Sequence, residues 1–502
     1  MGDQLHRVEA MNLRLSEREW AILAITWVVL CGAIPFWFLR SGLLDIVGRP
    51  SGILILICTL VILLYAGSRL AWIIGRGEPH LLQAVWWMFC YVAGSLAPLA
   101  QLSTDHSTLL IREAYRLPAT VLVLVAVVAF DLGRSLWDQM GGGPPRNRVR
   151  YVSERRMVAL SWAASIVFLY AITAGGSINQ YFSTRQANLI AAADAGVGPG
   201  ASQAMAGVIS GAIAALPLVA LLAWTPLFMR RGPRPARVTI WWFALLAMNV
   251  VVNNPISRSR YWFLTVTIGL LFTLPGMTKS RFRAIILVGV AAAAIIFPYS
   301  DVFRVESQYE RPISSGSLQE TLAIKDYDQL TMTGNGIWWV DETGLHFGRQ
   351  LASAALFFVP RSIWPDKAYD TGVEIGIALK SVNVNLSSPI WLELWVDFWW
   401  PGVVAGLIIA GGLARRFDLR YTEVLLRPDT SLAVLRIGLP LIAGYEFILI
   451  RGPLLQAMGR VAFLVLALWF ITERSTSRAD PSSDITATSQ ELVSHGPRKE
   501  PF

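Results

Sequence analysis

The chain is a succession of apolar stretches, each about as long as a bilayer is thick, and this pattern constrains it more than any motif. The stretches read near 20–39, 51–74, 81–100, 117–136, 157–174, 206–228, 238–254, 261–276, 283–299, 396–413, 433–450 and 455–472. A helix needs about 20 apolar residues to cross the hydrocarbon core. Composition points the same way. Of 502 residues, 54% are hydrophobic and 15% charged, where soluble domains carry about a quarter charged residues. The expected fold class is all-α: a polytopic integral membrane protein with about twelve transmembrane helices and a large outer-face segment.

The basic residues side the loops. Arg134, Arg146, Arg148, Arg150, Arg155 and Arg156 cluster in 134–156, and Arg230, Arg231, Arg234 and Arg237 in 229–237. Lys279, Arg281 and Arg283 follow in 277–283, and Arg415, Arg416, Arg420 and Arg427 in 414–430. Cytoplasmic loops carry such an excess, so all four are expected inside, with both termini. Loop 175–205 has one basic residue, Arg185, and is expected outside. The net charge of +9 therefore reports membrane topology and not nucleic acid. The count closes only if 350–364, short and containing Pro360 and Arg361, dips in and returns or lies along the surface.

The expected organisation is a cytoplasmic N-terminus (1–19), nine spans (20–299), an outer segment (300–395), three spans (396–472) and a disordered cytoplasmic tail (473–502). The first span reads as a retained anchor. Cys31, Cys58 and Cys90 fall inside apolar spans, which suits inert packing residues and no disulfide framework or zinc spacing. No phosphate-binding glycine loop or serine-nucleophile turn is evident. The energy for any synthesis must then reside in the substrate.

Candidate chemistry gathers at the outer boundary. Asn253-Asn254-Pro255-Ile256-Ser257-Arg258-Ser259-Arg260 places two arginines outside, against the charge trend. They read either as side chains snorkelling to headgroups or as a clamp for phosphate, since arginine offers planar paired donors. Arg304 ends the run from Tyr299 and is expected near them. In Phe358-Val359-Pro360-Arg361-Ser362-Ile363-Trp364-Pro365-Asp366-Lys367, the prolines fix a turn that holds Arg361 and Lys367 at the membrane boundary. Ordinary interfacial anchors have the same composition. Asp341 and His346 are candidate proton acceptors for a sugar hydroxyl. Glu393 and Asp397, spaced i,i+4, share one helix face and either favour the helix N-terminus or serve a site.

Three of these features resemble the O-antigen polymerases (Wzy type) among the oligosaccharide repeat-unit polymerases. They are the multi-span layout with a late outer loop, the Ser257–Arg260 turn, and the run from Gly348 through Pro360-Arg361 to Trp364-Pro365-Asp366-Lys367, extended by Glu393 and Pro401-Gly402. The resemblance implies a fold similar to the C-type membrane glycosyltransferases and an enzyme without metal or other cofactor. It implies that oligosaccharide repeat units carried on undecaprenyl pyrophosphate are joined on the outer face of the cytoplasmic membrane. Arg258, Arg260, Arg304 and Arg361, with Lys367, are then the pyrophosphate-binding positions, and His346, Asp341 and Glu393 the catalytic ones. Membrane lipids, a chain-length regulator and a flippase are the implied partners, with no nucleic acid. Three alternatives stay open: an O-antigen ligase-like enzyme, another lipid-linked glycosyltransferase, or a lipid-linked sugar transporter.

Overall fold

The computed structural model describes residues 15–40, 46, 51–104, 111–140, 149–173, 178–183, 188, 201–293, 322, 327–381, 386–427 and 430–473. Arg304, most of 175–205 and 300–326, and the tail beyond Glu473 lie outside the described residues. The described residues form helices and no strand. Each of the twelve apolar stretches overlaps a helix. Among the described residues, eight helices are long and apolar enough to cross a membrane.

In chain order the helices are α1 (Glu17–Leu39), α2 (Gly52–Arg76), α3 (Leu81–Ser103) and α4 (Glu113–Gln139). Then come α5 (Glu154–Thr173), α6 (Ala201–Phe228), α7 (Ala236–Val252), α8 (Arg260–Thr273) and α9 (Lys279–Ala291). After a stretch outside the described residues follow α10 (Gln329–Thr343), α11 (Arg349–Ala355), α12 (Thr371–Ala378), α13 (Ile390–Leu426), α14 (Val434–Arg451) and α15 (Leu454–Ile471).

Polar contacts at the two ends fix how these helices alternate. At one end, Glu19 of α1 pairs with Lys279 of α9 at 2.8 Å, and Arg283 of α9 donates to Ile74 O near the end of α2 at 2.9 Å. Arg415 of α13 reaches Asp138 at the end of α4 (2.8 Å), and Arg237 of α7 reaches Glu154 of α5 (2.8 Å). Ser153 N–H, just before α5, donates to Ile471 O at the end of α15 (2.9 Å). At the other end, Arg258 after α7 donates to Ser210 of α6. There too Arg451, ending α14, lies over Tyr261 at the start of α8. The four arginine-rich loops share the first end, and the candidate site residues lie at the second.

Close helix approach sets the core. A Cβ on Gly133 of α4 would lie 1.9 Å from Ile408 O, and one on Gly411 of α13 would lie 1.9 Å from Phe130 O. Only hydrogen fits at this crossing. Small residues at helix interfaces allow such contact where lipid supplies no hydrophobic drive. Nearby, Trp86 of α3 stacks on Phe130 of α4 at 4.2 Å and meets Trp391 edge-on at 6.4 Å.

Helix α13 is two arms. Trp399 has φ 55° and ψ −146°, and Pro401 follows. Leu394 and Gly406 would be about 18 Å apart in a continuous helix. Here a Cβ on Gly406 would lie 2.8 Å from the Leu394 side chain, so the chain doubles back. Glu393 and Asp397 sit on the short first arm. The expected span at 396–413 thus starts earlier as helix and is broken at Trp399.

Candidate functional site

The site begins with a helix too short to stand alone. Helix α11 has seven residues. Asp397 accepts from the backbone N–H groups of Gln350 (3.1 Å) and Leu351 (2.8 Å) at its start. At its end, Lys367 Nζ donates to the carbonyls of Leu356 (3.2 Å), Phe357 (2.7 Å) and Val359 (2.9 Å). An anion at the N-terminus and a cation at the C-terminus both complement the helix dipole. Lys367 is buried and its three protons are all engaged, so the structure gives it a capping task where the sequence suggested a pyrophosphate ligand. Burial also pushes its ammonium below the ordinary lysine value.

The Pro360–Asp370 loop folds back around Arg361. Its guanidinium donates to the carbonyls of Lys367 and of Ala368 (2.8 Å for the latter) and lies 3.8 Å from the Tyr369 ring centroid. Arg349 Nε holds the same loop through Asp366 O at 3.0 Å. The loop ends at Asp370, which precedes α12 without capping it. Its carboxylate instead accepts the backbone N–H of Gln456 at the start of α15. Burial pushes this carboxyl up to about 6, against the pull of Arg361 and Lys367.

Two further acids close the cluster. Glu374 accepts from Gln350 Nε2 (3.0 Å) and from Tyr369 N–H (3.1 Å). Glu393 is 2% exposed; Oε2 accepts from Thr371 Oγ1 at 2.8 Å, and the Ser388 side chain lies beside the carboxyl. His346 lies beside them, its ring 4.6 Å from that of Trp339 and its N–H on Val396 O at 3.0 Å. Burial lowers its imidazole below the usual histidine value, so it is neutral at pH 7. Asp341 is placed differently. It is exposed on the last turn of α10 and bonds Tyr115 of α4.

The second arginine group surrounds the α7–α8 turn. Arg258 donates to Val252 O (2.8 Å) and Ser210 Oγ (3.0 Å), with the Tyr181 ring at 5.9 Å. Burial, helped by the neighbouring charge of Arg460, lowers its guanidinium to about 10. Arg260 opens α8 and is half-buried. Arg451 lies 4.8 Å over Tyr261 and Arg460 lies 5.8 Å over Trp262.

Helix α15 joins the two groups. Gln456 meets Asp370 and Arg460 meets Arg258. Positions four apart share one helix face. Arg361, Lys367, Asp370, Glu374, Glu393 and His346 thus adjoin Arg258, Arg451 and Arg460, while Asp341 bonds Tyr115. Asp370, Glu374, Arg451 and Arg460 escaped the sequence reading. Arg460 carried a signal, since an arginine inside an apolar span is by default a functional position.

No family model, curated protein or solved structure matches the chain. The functional reading therefore stands on the chemistry of this cluster.

Proposed function

We propose that the protein is a membrane glycosyltransferase of the repeat-unit polymerase kind, joining oligosaccharides carried on undecaprenyl pyrophosphate. In this reading the chain crosses the cytoplasmic membrane twelve times, both termini are cytoplasmic, and the cluster faces outward. No metal or nucleotide takes part. The observation that carries the reading is the meeting of arginines from three separate segments beside buried carboxylates at one end of an apolar bundle.

A pyrophosphate leaving group gains charge as its bond to the sugar breaks. Cations fixed beforehand around that position stabilise the developing charge without reorganising. Arg361 and Arg258 are held by backbone carbonyls and a hydroxyl, with Tyr369 and Tyr181 at their faces. Arg451 and Arg460 join Arg258 and Arg260 in the same role. His346, neutral and beside Glu374, is placed to accept a proton from an attacking hydroxyl. The helices long enough to span the bilayer agree with a lipid-borne substrate.

Reconstitution tests the reading. Purified protein in liposomes receives an undecaprenyl-pyrophosphate oligosaccharide with no nucleotide and with chelator present. A ladder of products of increasing length is the expected result. Movement of the lipid-linked sugar across the bilayer without a ladder would replace the enzyme by a transporter.

A further inference from the structure

Arginines crowd the ends of α4 and α13, and most of them meet an acid. Arg134 bonds Asp131 (2.7 Å) and Asp138 (3.3 Å), Arg415 bonds Asp138 (2.8 Å), and Arg427 bonds Glu423. Arg416 and Arg420 differ. Both are half-buried, yet among the described residues neither has a hydrogen bond or an ion pair. Arg416 Nε is buried without a hydrogen-bond partner, and the guanidinium lies 5.4 Å from the Trp137 ring centroid near the end of α4. Arg420 stands beside Arg416, and the acid near it, Glu423, is taken by Arg427. A snorkelling arginine carries its charge out to water, but this pair is held partly inside. Charges drawn in from solvent are normally paired, and a buried donor without a partner calls for a water, an ion or a ligand.

The helix face selects the class of anion. Positions three and four apart share one face of a helix, so Ile409, Leu413, Arg416, Phe417 and Arg420 form one stripe of α13. Ile409, Leu413 and Phe417 are exposed on a helix long and apolar enough to cross a membrane, so lipid covers them. The two guanidiniums follow about 10 to 16 Å along the axis from Ile409. Trp137 beside Arg416 suits the headgroup level. A phosphate offers the paired oxygens that a guanidinium takes, and fatty chains suit the apolar part of the stripe. A soluble phosphate would satisfy only the arginines. Basic pockets between helices on the cytoplasmic side of a membrane recognise lipid headgroups in this way.

We propose that Arg416 and Arg420, with Trp137, bind the phosphate of an anionic phospholipid in the leaflet at the arginine-loop end, with its acyl chains on Leu413 and Ile409. On the same two helices, Gly133 and Gly411 bring the backbones of α4 and α13 together, so the bound lipid bridges a crossing that is already close. This site is independent of the chemistry proposed at the other end of the bundle.

Native mass spectrometry of the full-length protein in detergent tests the site with three probes: phosphatidylglycerol, phosphatidylcholine with the same acyl chains, and inorganic phosphate. Wild type is expected to bind phosphatidylglycerol at least about tenfold more tightly than phosphatidylcholine, since each arginine near an anionic headgroup contributes about 1 kcal/mol. Arg416→Gln combined with Arg420→Gln is expected to bring phosphatidylglycerol down to the phosphatidylcholine level. Arg155→Gln combined with Arg231→Gln removes the same charge from exposed positions at the same end and is expected to bind as wild type does. In detergent alone the Arg416/Arg420 variant should keep the wild-type thermal midpoint, and it should lose the upward shift that phosphatidylglycerol gives wild type. Equal affinity of wild type for the two lipids would overturn the site. An equal loss in the Arg155/Arg231 control would reduce it to general charge attraction. A lower midpoint of the Arg416/Arg420 variant without lipid, or failure to fold, would make the pair structural. Inorganic phosphate binding as tightly as phosphatidylglycerol would assign the pair to a soluble anion and remove the lipid.

Discussion

Two buried carboxylates on α13, one at each end of the bundle, are treated in opposite ways. Asp418 accepts from the N–H groups of Leu82 (3.0 Å) and Gln83 (3.1 Å) and from Gln83 Nε2 (3.0 Å), and so caps the start of α3. Glu393 meets hydroxyls instead, Thr371 Oγ1 at 2.8 Å and the Ser388 side chain beside it. The nearby charges follow the same division. Asp131 is bonded by Tyr65 (2.7 Å) and by Arg134 (2.7 Å), and Arg69 completes its shell. Arg361 instead holds its own loop, donating to the carbonyls of Lys367 and Ala368. At the arginine-loop end, Asp418 and Asp131 stitch helices together. At the other end, Glu393 meets a threonine hydroxyl and Arg361 meets its own loop's carbonyls.

The largest effect is expected where the two arms are locked to the rest. Gly411→Leu places a side chain against Phe130 O at the α4–α13 crossing. Overpacking with no room to shift costs about 3 kcal/mol or more. Little monodisperse protein should survive extraction from the membrane. Normal yield would show that the crossing is looser than the 1.9 Å approach implies.

Arg361→Ala should come next. Loss of a fixed cation at a developing charge typically lowers kcat by about 100- to 1000-fold. The variant should still fold, because α11 keeps both its caps. Activity near wild type in the reconstituted assay would detach Arg361 from the chemistry.

The contrast itself is tested by a pair of substitutions. Asp418→Ala strands two helix N–H groups and a buried amide, which should cost about 3 kcal/mol. Glu393→Gln keeps an acceptor for Thr371 and should change stability by less than about 0.5 kcal/mol. Denaturation of both variants in detergent checks this. Equal losses would erase the difference between the two ends.

Much of this architecture was legible in the chain, and the reasons are specific. The apolar stretches announced the helices, because burial in lipid demands a long unbroken run. The arginine loops announced which segments share an end. Helix α10 was not legible. Its sequence, with Gln329, Thr331, Thr333 and Asn335, is too polar to read as buried, yet residues 329–340 are all buried. They are buried against other polar groups, as where Trp391 Nε1 donates to Thr333 Oγ1 at 2.9 Å. Local periodicity carries no trace of such partners. The break at Trp399 was hidden for a similar reason, since Pro401 at the start of a helix and Pro401 after a sharp reversal look alike in sequence. Lys367 reads in sequence as a pyrophosphate ligand, and only the fold shows its ammonium on the carbonyls of Leu356, Phe357 and Val359.

The smallest effect expected concerns Asp370, whose carboxyl is raised to about 6 by burial. A folded-state value above the ordinary 3.8 means the native protein binds this proton more tightly than the unfolded chain does. Its contribution to stability is therefore fully present below about 4 and is lost as pH rises through about 6. The same proton affects the site. Ionised Asp370 faces Arg361 and Lys367 as an anion, with Glu374 adding negative charge. Protonation removes that competitor and leaves Arg361 more available to pyrophosphate. Affinity for undecaprenyl pyrophosphate should rise modestly between pH 7.5 and pH 5.5 in wild type. Asp370→Asn should bind at the higher level throughout, with a flatter profile. His346 also titrates in the acid range, but it remains in the variant and serves as the internal control. An unchanged pH slope in Asp370→Asn would assign the effect to His346 and leave Asp370 as a cap for α15.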